Sequence, residues 1–342
     1  MSSNVMTGKA FEYATLTAFY YAVQACGSKV VVDVSSAYST AKKAFLGLDS
    51  HAREDYKAAA LVAAQTIIPM EPGLTFENGK SVLRLCLQTD AKGQSGDVRD
   101  IVLSRPDQKW EIGISCKHNH QALKHPRITE GMDFGRDWIG VPCSREFIER
   151  IETVMRIVKR WEDERTKWCD HGDKVSSVYV PIVEAFVSEL RRLCSVDDSA
   201  PSKIVSYFFG TDDFYKVISQ DRRQPGDAGI TRIVPFNMGG TLGRTFGEQR
   251  PVYQLDKTEL PTRLIEVGRK EKSSNTLEMV FDKGWTISMR VHNADKLVKK
   301  TGLKWDVQLV GVPYGVDPQI RIWGQRVEYG VVGFDASHYD EE

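Results

Sequence analysis

The stretch GDVRDIVLSRPDQKWEIGISCKHNH, residues 96–120, decides the fold. DIVLSR and WEIGISCK are runs rich in apolar and β-branched residues on either side of Pro106-Asp107, which reads as two strands joined by a turn. With Arg105 opposite Trp110, position sums stay constant across the hairpin and Asp100 faces Ser115. Side chains alternate between faces, so Glu111, Gly113, Ser115 and Lys117 share one face with Asp100. Lys117 is then the diagonal neighbour of Asp100, within reach of a long side chain. The same register sets Asp97 opposite His118 on the other face, and a single bulge would exchange the two acids. Asp100 is the preferred acid and Asp97 the alternative.

An acid on one strand and a lysine leaving the end of the next suit metal-dependent hydrolysis of a phosphodiester. The carboxylate holds a hard divalent cation such as Mg²⁺ through oxygen. The cation polarises the phosphoryl oxygen and helps generate hydroxide. The lysine orients or helps deprotonate the attacking water and offsets charge in the transition state. One carboxylate is a thin ligand set, and Glu12, early in an amphipathic segment, is the obvious second acid.

Composition limits the rest. The chain has 342 residues, 41 % of them hydrophobic, with 46 Lys+Arg against 46 Asp+Glu. A zero net charge leaves nucleic acid open, because local distribution decides contact with a phosphate backbone. Lys92–Arg127 carries seven Lys/Arg against four Asp/Glu, with three His; Arg269–Lys304 carries nine against four. These are two basic patches in a neutral chain. The six cysteines form no CxxC pair, and Cys26 and Cys86 read as small core hydrophobes. The start has no charged and then apolar leader, and no apolar run approaches the ~20 residues of a membrane span, so a cytosolic protein is expected.

Around the hairpin, GKAFEYATLTAFYYAVQAC has apolar residues at helical spacing, KVVVDV is a short strand, and residues 36–68 are helical with a break near GLDSHA. SVLRLCLQ alternates as a strand. Ser144 caps a helix over 144–168, whose Phe147, Ile148, Ile151, Val154, Met155, Val158 and Trp161 form one stripe. Another helix starts near Pro181 and runs to about Cys194. Beyond SVDDSAPSK the segments IVSYFF, ITRIVPF, TLEMVF, WTISMRVH, WDVQLVGV and QIRIWG read as strands between turn residues. The expectation is an α/β protein with a mixed sheet flanked by helices over residues 1–200 and a β-rich part over 201–342.

Asp100 followed by ISCK resembles the PD-(D/E)xK nuclease core, with Glu12 in GKAFEYA as the accessory acid borne on a helix. The pattern departs at Ser115, where that core carries an acid. The departure raises the weight on Glu12, with Glu130 in RITEG a second candidate, and Ser115 reads as a small residue leaving room for metal or phosphate. TGKAFEYA, GQSGDVRDIVLSR, EIGISCKHNHQALKHPRI and GWTISMRVHNADKLVKKTGLKWDVQLVGVP together resemble the HaeIII-type family of type II restriction endonucleases. That resemblance implies Mg²⁺-dependent cutting of double-stranded DNA at a short palindrome, GGCC, between the central G and C. It also implies a cognate cytosine methyltransferase as functional partner and a bacterial cytoplasmic setting, and it allows a homodimer.

The basic residues fit this reading. His118, Asn119, His120, Lys124, His125 and Arg127 are expected at phosphate oxygens just past the active site. The tripeptide HNH does not make an HNH nuclease, which needs histidines spread over a ββα-metal unit. Cys169 and His171 in CDHGD lack a second pair at zinc-ligand spacing. Trp285, Trp305 and Trp323 read as core. On the strand SMRVHN, Arg290 and His292 share a face with Asn293 beside them, and arginine reads guanine through O6 and N7; Lys296, Lys299 and Lys300 would follow the backbone. Two rivals remain: a non-cleaving DNA-binding protein with a degenerate core, suggested by Ser115, and a structure-specific repair nuclease.

Overall fold

The hairpin folds as its residues dictate. Ile101–Arg105 (β3) and Trp110–His118 (β4) pair antiparallel from Arg105↔Trp110 to Ile101↔Ile114. Pro106–Gln108 forms a single 3₁₀ turn, closed by Lys109 in the left-handed region at φ 51°. The computed structural model describes residues 3–89, 97–119, 123–222 and 227–324.

Val30–Asp33 (β1), Leu83–Leu87 (β2), Phe214–Gln220 (β5), Gly229–Phe236 (β6) and Gln319–Trp323 (β11) join the hairpin in a mixed sheet. Its order is β1-β2-β3-β4-β5-β6-β11 among the described residues. The β1/β2 and β4/β5 pairs are parallel and the others antiparallel. One face carries Ile101, Leu103, Ile112, Ile114, Tyr215 and Val217, all buried, under helices Ser3–Ala25 (α1), Ser36–Leu46 (α2) and Ser50–Ile67 (α3). The predicted break between α2 and α3 falls at residues 47–49, where Asp49 caps α3 by accepting from the Ala52 amide at 2.8 Å.

After the short helix Pro72–Thr75 (α4), four helices lie beyond the hairpin: Phe134–Ile139 (α5), Arg145–Asp163 (α6), Val180–Val196 (α7) and Ala200–Phe209 (α8). Ser144 caps α6 as read from sequence, its Oγ accepting from the Phe147 amide. These helices share a core with an antiparallel sheet of Leu264–Arg269 (β7), Thr276–Phe281 (β8), Thr286–Asn293 (β9) and Leu303–Leu309 (β10), in which Trp285 and Trp305 are fully buried.

Three expectations need correction. IVSYFF is the body of helix α8, not a strand: Pro201 sits in its first turn, and Ile204, Val205, Phe208 and Phe209 fall on one buried helical face. A short apolar run carries no period that separates the two states. The strand of this region is β5, which the sequence reading passed over, as it did β7. Cys26 is exposed just after α1 and Cys86 is half-buried; Cys116 and Cys143 are the buried cysteines. The change of character at residue 200 is real in sequence, but the large sheet runs across it, because β5 pairs directly with β4.

Candidate active site

Asp100 stands one residue before β3, and its amide still bonds to the Ile114 carbonyl at 2.8 Å. Its side chain bends over the end of β4. Oδ2 accepts from the Cys116 amide at 2.6 Å, from Ser115 Oγ at 3.2 Å and from Lys117 Nζ at 3.4 Å. Burial alone would push the Lys117 ammonium down; Asp100 and then Glu12 outweigh it and hold it above its ordinary value.

Glu12 reaches the same place from α1, which packs on β4 and carries the buried Phe11 and Ala14 on either side of it. It is 7 % exposed and bonds to Lys9 Nζ at 3.1 Å. Burial first and Asp100 second raise its carboxyl well above the carboxylate range. The buried Cys116 thiol is likewise pushed up, by burial first and then by Asp100 and Glu12.

Asp97 does not take the position opposite His118. Pairing stops at Ile101, and Asp97 folds back onto Arg99, whose Nε and second guanidinium nitrogen donate to its two oxygens at 2.8 and 2.9 Å. Gln88 Nε2 adds a third bond at 2.7 Å. Against the upward push of burial, these bonds hold Asp97 below its ordinary value. Arg99 continues to Glu111 at 2.8 Å and lies across Gly113, where a Cβ would meet its side chain at 2.1 Å. Glu130 is exposed in a turn.

The chemistry of the donors fits a small divalent cation. Among the described residues no three His, Cys, Asp or Glu side chains form a closed metal cage. Magnesium does not require one: it is held by one or two carboxylates, with water and substrate phosphate filling the other positions. Glu12 and Asp100 are two such oxygens in one partly dry site, where Asp100 raises the cost of charging Glu12, and a cation relieves that repulsion.

The profile of the family described as HaeIII restriction endonuclease matches residues 8–313. The type II restriction enzyme HaeIII of Haemophilus aegyptius is 33 % identical over 307 residues, covering 90 % of this chain and 94 % of that enzyme. The chain belongs to the HaeIII restriction endonuclease family. It is a site-specific deoxyribonuclease acting on double-stranded DNA. No solved structure matches it. No helix among the described residues is long and apolar enough to cross a membrane.

In this family member the basic run after Lys117 is largely occupied in holding structure together. His118 Nδ1 meets Tyr56 Oη at 3.0 Å, and its Nε2 meets Asp221 Oδ1 at 2.8 Å, with the side chain 9 % exposed. Asn119, at φ 57°, donates to Asp221 Oδ2 at 2.7 Å. Lys124 donates to the Tyr207 carbonyl and lies over the Tyr207 ring. Each of these three already has a protein partner, which the sequence did not show, and Asn119 is exposed as well. His120 lies outside the described residues. His125 and Arg127 remain exposed; the first is 3.8 Å from Asp306, and the second donates to the Thr301 carbonyl at 2.7 Å.

Residues 123–128 add themselves to the edge of β10. Leu123 donates to Val307, Val307 to Lys124, Trp305 to Pro126 and Ile128 to Leu303, at 2.8–3.3 Å. The chain that follows β4 is thereby tied to the small sheet a few residues beyond Lys117. The outward face of that sheet is polar. Arg290 is cross-strand partner of Asp306 and donates to its Oδ2 at 3.1 Å, and Gln308 stands next on β10. His292 faces Lys304, and burial, then that lysine, push its imidazole down. Asn293 binds the Asp295 carbonyl and packs against Gly302, so it shapes the β9–β10 turn.

Sequence reading missed Asp306 and Lys216. Lys216 lies on β5, is 4 % exposed, and has Ser115 of β4 as its cross-strand partner. Burial, then Lys117 and Arg232, lower its ammonium to about 7, against the opposite pull of Asp100. A lysine inside an otherwise apolar strand was the available signal.

Proposed function

We propose that this restriction endonuclease is of type II, depends on Mg²⁺, and cuts both strands of the palindrome GGCC between the central G and C. The observation that carries the catalytic reading is the convergence of Asp100, Ser115, Lys117 and Glu12 at the end of β4. Asp100 and Glu12 would hold the cation, and Asp97, saturated by Arg99 and Gln88, would not. When bound, Mg²⁺ supplies Lewis-acid polarisation of the phosphoryl oxygen and lowers the pKa of water. Ser115 and the Cys116 amide fix the Asp100 carboxylate. Lys117, kept protonated by the two acids, faces the phosphate, orients the attacking water and opposes the charge that grows in the transition state. Ser115 replaces the acid of the PD-(D/E)xK pattern by a hydroxyl that positions the acid present.

Residues 1–200 carry the catalytic acids and lysine, while residues 201–342 supply the recognition sheet, with the catalytic sheet crossing between them. Arg290 reads guanine, and Asp306, its cross-strand partner, would accept from cytosine N4 of the same pair. His125, Arg127, Lys296, Lys299 and Lys300 would follow phosphates. A twofold target suits a homodimer. A cognate cytosine methyltransferase would protect the host's own sites in a bacterial cytoplasm.

Incubation of a plasmid of known sequence with Mg²⁺, followed by mapping of the ends, tests this. Discrete blunt fragments ending at every GGCC are expected. Binding without cutting would favour a degenerate core, and nicking that depends on flaps or mismatches would favour a repair nuclease.

A further inference from the structure

His118 ends β4 one residue beyond Lys117, and three elements hold it at once. Its Nδ1 meets Tyr56 Oη of α3 at 3.0 Å, and its Nε2 meets Oδ1 of Asp221, just past β5, at 2.8 Å. Its ring centroid lies 4.4 Å from that of Tyr56 and 6.0 Å from that of Phe11 on α1. Phe11 and Tyr56 themselves meet edge to face at 5.7 Å. Three rings from α1, α3 and β4 therefore close into a triangle, on the face of β4 opposite Lys117. Asp221 completes the arrangement from outside. Its Oδ2 accepts from Asn119 Nδ2 at 2.7 Å, and its amide donates to Asn119 Oδ1 at 3.0 Å. The next residue, Arg222, pairs with Asp55, the neighbour of Tyr56 on α3. Burial would raise the Asp221 carboxyl; the bonds from His118 and Asn119 outweigh it and hold it below its ordinary value.

This cluster joins the two parts of the active site. Phe11 precedes Glu12 on α1, and His118 follows Lys117 on β4. Sliding of the β4 end past that turn of α1 would carry Lys117, and the Cys116 amide that holds Asp100, away from Glu12. Ring packing alone would allow some sliding. A ring bonded at both nitrogens, with satisfied partners on two other elements, resists it. We propose that His118 is a positioning residue of the cleavage reaction, which fixes the end of β4, and with it Lys117, against the turn of α1 that carries Glu12. This rests on the reading of Asp100, Glu12 and Lys117 as the catalytic centre. His118 acts through those residues and not on the phosphate. Misplacing a reacting group by ~1 Å can cost about a hundredfold in rate.

The test is single-turnover cleavage at saturating cognate DNA by His118→Phe, His118→Gln, Asp221→Ala and the double variant of His118→Phe with Asp221→Ala. Ca²⁺-supported affinity and melting temperature are measured for each. The Asp221 side chain is 36 % exposed, so Asp221→Ala spares the core while it releases His118 from outside. Val23→Ala, at a buried position near the far end of α1, reports the effect of lost stability alone. His118→Phe and Asp221→Ala are each expected to bind cognate DNA within about threefold of wild type and to cut at least roughly tenfold more slowly. His118→Gln should recover part of the rate, and Val23→Ala should cut as wild type does. The double variant should be no slower than the slower single variant, because both changes remove one constraint. Near-wild-type cutting by Asp221→Ala, or by a folded His118→Phe, overturns the proposal. So do losses that multiply in the double variant, and so does a loss of affinity as large as the loss of rate, which would make His118 a DNA contact. A rate that falls equally in Val23→Ala would reduce His118 to a core residue. Wild-type cutting by Lys117→Ala would instead overturn the site on which the proposal stands.

Discussion

At the scale of single residues, Asp100 and Asp97 are separated by their partners and not by their distance along the chain. Asp100 spends one oxygen on a backbone amide, a hydroxyl and Lys117, whereas both oxygens of Asp97 are bound by Arg99. Asp100→Ala should abolish cleavage, and Asp97→Ala should retain more activity while losing stability, because Arg99 is left without its main counter-charge. Single-turnover rates and melting temperatures of the two variants decide it; the reverse order of rates would move the metal ligand to Asp97. The sequence showed Asp100, Ser115 and Lys117 because hairpin register is arithmetic once the turn is placed. It could not show that β3 begins only at Ile101, or that the Arg99 side chain lies across Gly113. A different residue supplies a pH test. Glu71 is fully buried; Oε1 accepts from Tyr215 and the Gly243 amide, while Oε2 has no partner. Burial raises its carboxyl from 4.5 to about 7. A raised folded value means stability that is complete below 4.5 and is lost as pH rises through about 7. Between pH 5 and 8 the wild type should therefore lose about 2–3 kcal/mol relative to Glu71→Gln, which cannot ionise. Denaturant midpoints for the two proteins that run parallel across that range would contradict the assignment.

At the scale of elements, β4 matters for what it joins. It pairs with β3, which brings Asp100, and with β5, which brings Lys216, and it leads into residues 123–128 on the edge of β10. β4 and the small sheet thus share a backbone connection. The strands and helices with clear periods, α1, α6, β3, β4, β8 and β9, were legible in sequence. β5 and α8 were not, because both are short apolar runs in a buried core and only tertiary pairing distinguishes them. The protein partners of the basic loop were hidden for a related reason: charge composition cannot tell a lysine over a tyrosine ring from a lysine facing solvent, as Lys124 shows. On the exposed face of β9 and β10, Arg290 is the proposed reader. Arg290→Ala should weaken cognate binding up to roughly a hundredfold, since one bidentate contact is worth about 1–3 kcal/mol of base discrimination. Equal binding of cognate and random duplex by wild type and variant would remove Arg290 from the recognition surface.

At the scale of the whole molecule, a neutral chain must bind a polyanion through uneven charge. The stretch around Lys117 and the strands from Arg269 to Lys304 hold the excess of basic residues. A handful of phosphate contacts at about −0.9 each predicts a slope of roughly −4 to −8 in log K against log salt. A slope near zero would deny both surfaces a role. Most of those contacts lie away from the acids, so binding and cutting should be separable, and this separation tests the central claim that the end of β4 is the catalytic centre. The measurement is the single-turnover cleavage rate of Lys117→Ala, alongside its Ca²⁺-supported affinity for cognate DNA and its melting temperature. The predicted result is a folded protein that binds its site with nearly the wild-type salt slope and does not cut it. Cleavage by Lys117→Ala near the wild-type rate would place the chemistry elsewhere in the molecule.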